Sequence, residues 1–184
     1  VTQTRASNDY KEMGSDQWDI GRSSLFADAL GLAPAKDSYW SSNAQQQPPD
    51  GACCGAGCGK CGGPSTGRRD FYSRLNSAVS TLSTGPVAYS DRLGSEDRTA
   101  ILRSCMVNGT LLQPSRAATA IDATFHGMAF PEAAAAAPQG VVMATVSRNA
   151  PQQVEHGLVL SANLKAAYSL RLSAVFRDDD TVRQ

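Results

Sequence analysis

Short apolar runs that end in polar residues alternate here with segments of helical spacing, and this alternation limits the folds open to the chain more than any other feature. Strands separated by helices lie in parallel and need those helices to cover the sheet. The stretch from Val1 to Asp9 opens on β-tolerant residues and closes on Ser7-Asn8-Asp9, polar groups suited to the C-terminal end of a strand. After a polar turn at Gly14-Ser15-Asp16, Leu25, Phe26, Ala29 and Leu30 fall at helical spacing, with Gly31 as the stop. Leu32 to Trp40 forms a second strand-like segment through Pro34 and Asp37. From Asp70, the residues Phe71, Leu75, Ala78, Val79 and Leu82 share one face of a helix that Gly85-Pro86 ends. Val87-Ala88-Tyr89-Ser90 is then a strand candidate ending at Asp91. Ser95 is placed to cap a further helix, with Ala100, Ile101, Leu102, Cys105 and Met106 as its buried stripe, before Asn108-Gly109 turns the chain.

The last third follows another pattern. Pro131 and Pro138 bracket the run from Ala133 to Ala137, which reads as a linker over 131–140. Val141 to Val146, Gly157 to Leu164 and Tyr168 to Phe176 are apolar or alternating runs, the pattern of consecutive antiparallel strands. The expected architecture is therefore α/β. Residues 1–130 form the last strand-and-helix units of a (β/α) TIM-type barrel, and 141–184 begin an antiparallel β-domain. A whole eight-unit barrel takes ~250 residues, more than the 184 present, so the missing N-terminal part of the same chain is expected to complete it. The segment 41–69 interrupts the alternation with Gln, Pro, Gly and Cys and reads as an insertion.

Formal net charge is zero, so nothing in the composition draws the chain to nucleic acid or an anionic membrane. No apolar run approaches the roughly 18 residues of a membrane span, and Val1-Thr2-Gln3-Thr4-Arg5 lacks the features of a secretory signal.

Three runs, in this order, resemble the raffinose synthase and alkaline α-galactosidase group, related to glycoside hydrolase family 36. Arg5-Ala6-Ser7-Asn8-Asp9-Tyr10 is similar to that group's Arg-Ala-Ser-Asp-Asp-Phe run. Pro34-Ala35-Lys36-Asp37-Ser38-Tyr39 resembles Pro-Asp-Trp-Asp-Met-Phe more loosely, with Pro34 and Asp37 identical. Ser83-Thr84-Gly85-Pro86-Val87-Ala88-Tyr89-Ser90-Asp91 resembles Ser-Gly-Gly-Pro-Val-Tyr-Val-Ser-Asp, followed by Gly94, a helix and Asn108-Gly109-Thr110-Leu111-Leu112.

The resemblance implies a barrel carrying these runs at the C-terminal ends of late strands, followed by a β-domain. It also implies retaining chemistry on α-galactosides, which requires two carboxyl groups ~5 to 5.5 Å apart about the anomeric carbon. In the family the acid/base comes from the Arg-Ala-Ser-Asp-Asp strand end and the nucleophile from an earlier strand. This segment supplies at most one member of the pair and is expected to be inactive alone. Asp9 is the candidate acid/base and Arg5 its orienting partner. Asn8 stands where the family has aspartate, and an amide cannot donate a carboxylic proton, which leaves open a relative that binds sugar without cleaving it. Asp37 and Asp91 are candidate contacts to sugar hydroxyls or loop-fixing residues, while Trp40 and Trp18 offer flat faces for stacking. The implied partner is an oligosaccharide or α-galactoside, and no cofactor is required.

Cys53, Cys54, Cys58 and Cys61 form a rival constellation, a metal-binding interaction module, in which Cys58-Gly59-Lys60-Cys61 has the gap of a zinc half-site. Four ligands crowded into one short run, two of them adjacent, strain a tetrahedral site, and a flexible loop or adventitious disulfide is the default. His126 and His156 have no partner at metal-ligand spacing, and no Gly-x-Ser-x-Gly elbow supports serine catalysis.

Overall fold

The computed structural model describes residues 3–5, 20–42 and 72–176. These form a mixed α/β arrangement in two parts. The first is a parallel β-α-β unit: strand β1 (Gln3–Arg5), helix α1 (Ile20–Ala29) and strand β2 (Ala33–Ala35), with Gln3 opposite Ala33 and Arg5 opposite Ala35. Helix α2 (Ser73–Thr81) follows. The expected strand at Val87 to Ser90 is reduced to one parallel bridge between Tyr39 and Tyr89. Helix α3 (Arg98–Ile101) is a single turn. The second part is a three-stranded antiparallel sheet, in the order β3 (Thr119–Ala120), β4 (Val141–Asn149) and β5 (Val154–Ala162). Helix α4 (Asp122–Ala129) and a 3₁₀ segment, Pro131–Ala136, lie between β3 and β4. No closed barrel is present among the described residues.

The two parts share a core. Ile20 of α1 and Val79 of α2 are buried with Ala118 and Met143 of the antiparallel region, while Leu75, Leu82, Val141 and Leu160 pack around them. On the other side of β4, Val142, Ala144 and Val146 meet Ile121 and Val175. Alternate side chains of a strand point to opposite faces, so β4 is buried on both and joins the two clusters. The sheet thus begins before the segment read as a linker, and that segment itself packs on α4, where Gly127 approaches Ala137 closely.

Several elements depart from expectation. Helix α1 forms, and Gly31 stops it with a φ of 70°, but its buried face is Ile20, Gly21, Ser24 and Ala27. Phe26 and Leu30 are 70% and 74% exposed. The reason is steric: a Cβ on Gly21 would stand 2.5 Å from Met143 Sδ, so the helix approaches the sheet through its small residues. In α3 the cap is Asp97, whose carboxylate accepts from Thr99 and Ala100 N–H, in place of Ser95. Its expected stripe does not extend, because the chain folds back at Asn108-Gly109. Met106 and Leu112 N–H donate to Thr110 and Ser104 carbonyls, leaving Met106 54% exposed. The run from Tyr168 to Phe176 adds no strand. Tyr168, Leu170, Ala174 and Val175 instead lie over the face of β4, and Arg116 Nη2 holds the Val175 carbonyl at 2.8 Å.

The turn before Val87 carries a conformational conflict. Thr84 has a φ of 64°, the left-handed region that disfavours β-branched residues. The resembling run has glycine at this position. The Gln113 amide donates to the Thr84 and Gly85 carbonyls, at 2.9 and 2.7 Å, and fixes the turn. Beside it, a Cβ on Gly85 would meet the Pro34 carbonyl and come within 2.7 Å of Ala35 Cα. Only glycine lets this turn close on β2. Thr84→Gly should therefore stabilise the chain by up to about 1 kcal/mol, relief of left-handed strain exceeding the added chain entropy. Gly85→Ala should destabilise it by about 1–3 kcal/mol or more. Urea denaturation of the two variants checks both signs.

Candidate functional site

The parallel register gives β1 and β2 a common direction, so their C-terminal ends open on the same edge of the sheet. Beyond that edge β2 continues through Lys36, Asp37 and Ser38 to Tyr39. There it meets the segment leading to Asp91: Tyr39 N–H donates to the Ala88 carbonyl at 3.2 Å, and Ser90 N–H donates to the Tyr39 carbonyl at 2.9 Å. Asp37 and Asp91 thus flank one bridge between two neighbouring strand-like segments.

The two carboxylates have different local work. Asp37 Oδ1 accepts from Ser38 N–H at 2.9 Å, a turn-fixing bond within the segment. Both oxygens of Asp91 accept from Ser41 N–H, at 2.9 and 3.0 Å, and Oδ1 also receives Ser42 N–H at 3.4 Å. Ser41 Oγ in turn accepts from Asp97 N–H at 2.8 Å. Asp91 therefore holds the loop that leaves the second strand and links it to the first turn of α3. Of the two readings left open by the sequence, loop fixing is the one with a geometric basis at Asp91. Trp40, half-buried, lies between the bridge residue and this anchored loop.

Beneath the bridge is a polar, buried layer. Tyr39 has no exposed surface, and its ring lies 5.0 Å from that of Tyr89 at a tilted angle. Lys36, only 3% exposed, donates to the Asp37 carbonyl at 3.3 Å and places its ammonium 5.1 Å from the Tyr39 ring centre. The faces of α2 that meet this layer carry Ser77 and Ser80, and their hydroxyls with that of Tyr89 border the Tyr39 oxygen. None is placed to complete a hydrogen bond with it. Tyr89 is engaged elsewhere, its hydroxyl 2.8 Å from Ser104 Oγ. Burial, the largest influence, pushes the Tyr39 phenol well above its ordinary range.

Arg5 is placed by its backbone opposite Ala35. Asn8, Asp9 and Trp18, and the cysteines at 53, 54, 58 and 61, lie outside the described residues. Among the described residues no three His, Cys, Asp or Glu side chains gather where a metal ion could be held, and no helix is long and apolar enough to cross a membrane. The sequence did not single out Tyr39, Lys36 or Ser41 as parts of this edge. Lys36 and Tyr39 stood inside the run around Asp37, and Ser41 beside Trp40. No family model matches the chain, and no curated protein or solved structure is significantly similar to it.

Two outcomes follow. Asp91→Asn replaces an acceptor of backbone N–H groups by an amide and should cost about 1–3 kcal/mol, read by thermal or urea unfolding. The sign for Tyr39 runs with its raised pKa. The phenol keeps its proton in the folded state while the unfolded chain loses it above pH ~10, so stability is full below that pH and falls as pH rises past it. This group alone contributes a slope of about 1.4 kcal/mol per pH unit there. Tyr39→Phe should remove that slope, which urea titrations of both proteins at neutral and alkaline pH would detect.

Proposed function

We propose that this chain is part of a carbohydrate-active protein, a segment of a retaining glycoside hydrolase or galactosyltransferase acting on α-galactosides. Its first part belongs to a (β/α) barrel completed by other residues, and the segment is inactive by itself. The observation that carries the reading is the common edge. β1 and β2 end there in parallel, the Tyr39–Tyr89 bridge adds a third segment in the same direction, and Asp37 and Asp91 flank it. Barrel sites are built at such C-terminal ends. The left-handed Thr84, standing where the resembling run has glycine, adds support from backbone geometry.

In this reading Asp9, following the end of β1, is the acid/base and Arg5 orients it. A second carboxylate, from outside this segment, attacks the anomeric carbon while Asp9 gives its proton to the leaving oxygen. Asp37 is the candidate for a sugar hydroxyl. Asp91 acts mainly by holding the loop that carries Trp40, so its contribution to binding passes through Trp40's position. Neither step calls for a cofactor.

A second reading rests on Asn8. An amide accepts and donates hydrogen bonds to sugar hydroxyls but supplies no acid proton, the pattern of a protein that binds α-galactosides without cleaving them. The parent polypeptide assayed on an aryl α-galactoside separates the two. The hydrolase reading expects turnover that Asp9→Ala lowers by a factor of at least about 10². Turnover untouched by Asp9→Ala removes the assignment. Saturable binding by calorimetry without hydrolysis selects the second reading.

A further inference from the structure

Past the single turn of α3 the chain doubles back in a tight hairpin, and its tip carries a pattern that the proposed sugar edge does not use. Cys105 and Leu111 face each other in an antiparallel bridge, Met106 N–H donates to the Thr110 carbonyl at 2.8 Å, and Gly109 N–H donates to the Met106 carbonyl at 2.9 Å. At this tip stand Asn108, Gly109 and Thr110, all exposed. Asparagine followed two residues later by threonine, with any residue but proline between, is the acceptor pattern for an asparagine-linked glycan. No other asparagine of the chain has Ser or Thr two positions on.

The fold meets the two demands of that pattern, access and a suitably held side chain. Gly109 has a φ of 85°, and a Cβ on it would meet nothing within 4 Å, so the space around the tip is open. Asn108 Oδ1 accepts from Thr110 N–H at 3.0 Å, the turn in which an asparagine bonds its own backbone two residues on. That bond engages the carboxamide oxygen, whereas Nδ2, the atom that takes a sugar, has no partner among the described residues. The two residues before the acceptor are apolar and yet open to solvent, Met106 by 54% and Val107 by 95%. Exposed apolar side chains at a loop tip favour association unless something covers them, and a bulky hydrophilic oligosaccharide on the next residue would do so.

We propose that Asn108 is an N-glycosylation site, modified by an oligosaccharyl transferase that uses a lipid-linked pyrophosphate donor. In the transfer Nδ2 forms a bond to the anomeric carbon of the first sugar, the bond from that carbon to the pyrophosphate breaks, and the lipid pyrophosphate leaves. One Nδ2 proton passes to a base of the transferase, and the Thr110 hydroxyl is the group by which the enzyme recognises the acceptor. The parent polypeptide therefore passes through a secretory compartment. The site is separate from the proposed sugar edge and does not depend on that reading.

The test takes the parent polypeptide from its own source, digests it, and compares its peptides by mass spectrometry before and after a glycan-removing amidase acts in heavy-oxygen water. Before treatment the peptide spanning Asn108 is expected to carry the mass of an oligosaccharide. Afterwards that mass is lost and position 108 is an aspartate bearing heavy oxygen. The full chain, secreted from a eukaryotic host behind a cleavable leader, gives a second readout. Asn108→Gln and Thr110→Ala should each abolish the added mass, while Thr110→Ser, which keeps the hydroxyl, should retain it. An Asn108 peptide recovered from the native source as plain asparagine overturns the inference. So does aspartate of ordinary mass at that position before the amidase is added, the product of spontaneous deamidation through attack of the Gly109 nitrogen. An added mass that survives Asn108→Gln overturns it equally.

Discussion

The Asp91 carboxylate is the constraint on which the arrangement of the described residues turns. It gathers the N–H groups of Ser41 and Ser42 from 50 and 49 residues away, and the intervening sequence holds the Cys, Gly and Pro insertion, which offers little apolar surface to a core. Without such a polar clamp, the backbone donors leaving the second strand would have to find partners in water or go unpaired at a half-buried position. A charged acceptor satisfying several backbone donors at once is among the stronger polar contacts a fold can use. It draws the end of one parallel segment against the next at the level of Tyr39 and Tyr89. Through Ser41 Oγ it also fixes the N–H of Asp97, whose own side chain caps the following helical turn. Three elements are thus set by one carboxylate.

The packing beneath this clamp is unusually polar. Tyr39, Ser77, Ser80 and Lys36 are all buried, and the Tyr39 and Ser80 hydroxyls have no hydrogen-bond partner. Buried orphan hydroxyls cost stability, so this layer is held by its neighbours more than it holds them. The apolar clusters are elsewhere, on the two faces of β4. Ile20 and Val79 reach into one of those clusters, and by that contact α1 and α2, which belong to the parallel part, are tied to the antiparallel sheet. Gly21 permits the approach and Gly85 permits the corresponding closure of the turn on β2. The polar edge and the apolar core are therefore joined through two positions where a side chain would not fit.

How far the sequence revealed this depended on the kind of information each element needs. The stop of α1 was legible because Gly31 acts locally, whereas α2 already ends at Thr81, before Gly85-Pro86. Strands β4 and β5 were legible from their length and apolar content. The buried face of α1 was not: periodicity selects the bulkiest residues, Phe26 and Leu30, whereas the sheet accepted Gly21 and Ser24, a matter of distance that one segment cannot report. Asp97 displaced Ser95 as a cap two residues along, because both are good caps and only the tertiary bond from Asp97 N–H to Ser41 decides between them. Tyr168 to Phe176 has the composition of a strand, but composition does not say whether a run adds to an edge or crosses a face. At the candidate site Asp37 and Asp91 could be named in advance, yet the Ser41 contact that divides their roles joins residues that no local pattern relates.

The departures from the resembling runs differ in kind, and in the proposed reading that difference matters. Thr84 is a conformational departure. It forces a β-branched residue into a glycine-like backbone, and Gln113 holds the turn in place, so the edge keeps its geometry at an energetic cost. Asn8 is a chemical departure that leaves backbone preference nearly unchanged, since Asn and Asp favour similar strand-end and turn conformations, but removes a proton and a charge. In the proposed reading, an edge whose shape is kept while Asn8 replaces aspartate serves binding whether or not bond cleavage follows. If Asp9 supplies the proton, as proposed, the same geometry serves catalysis. If it does not, an amide at Asn8 still offers both a donor and an acceptor to a sugar hydroxyl, and the edge retains a use for every other residue it positions.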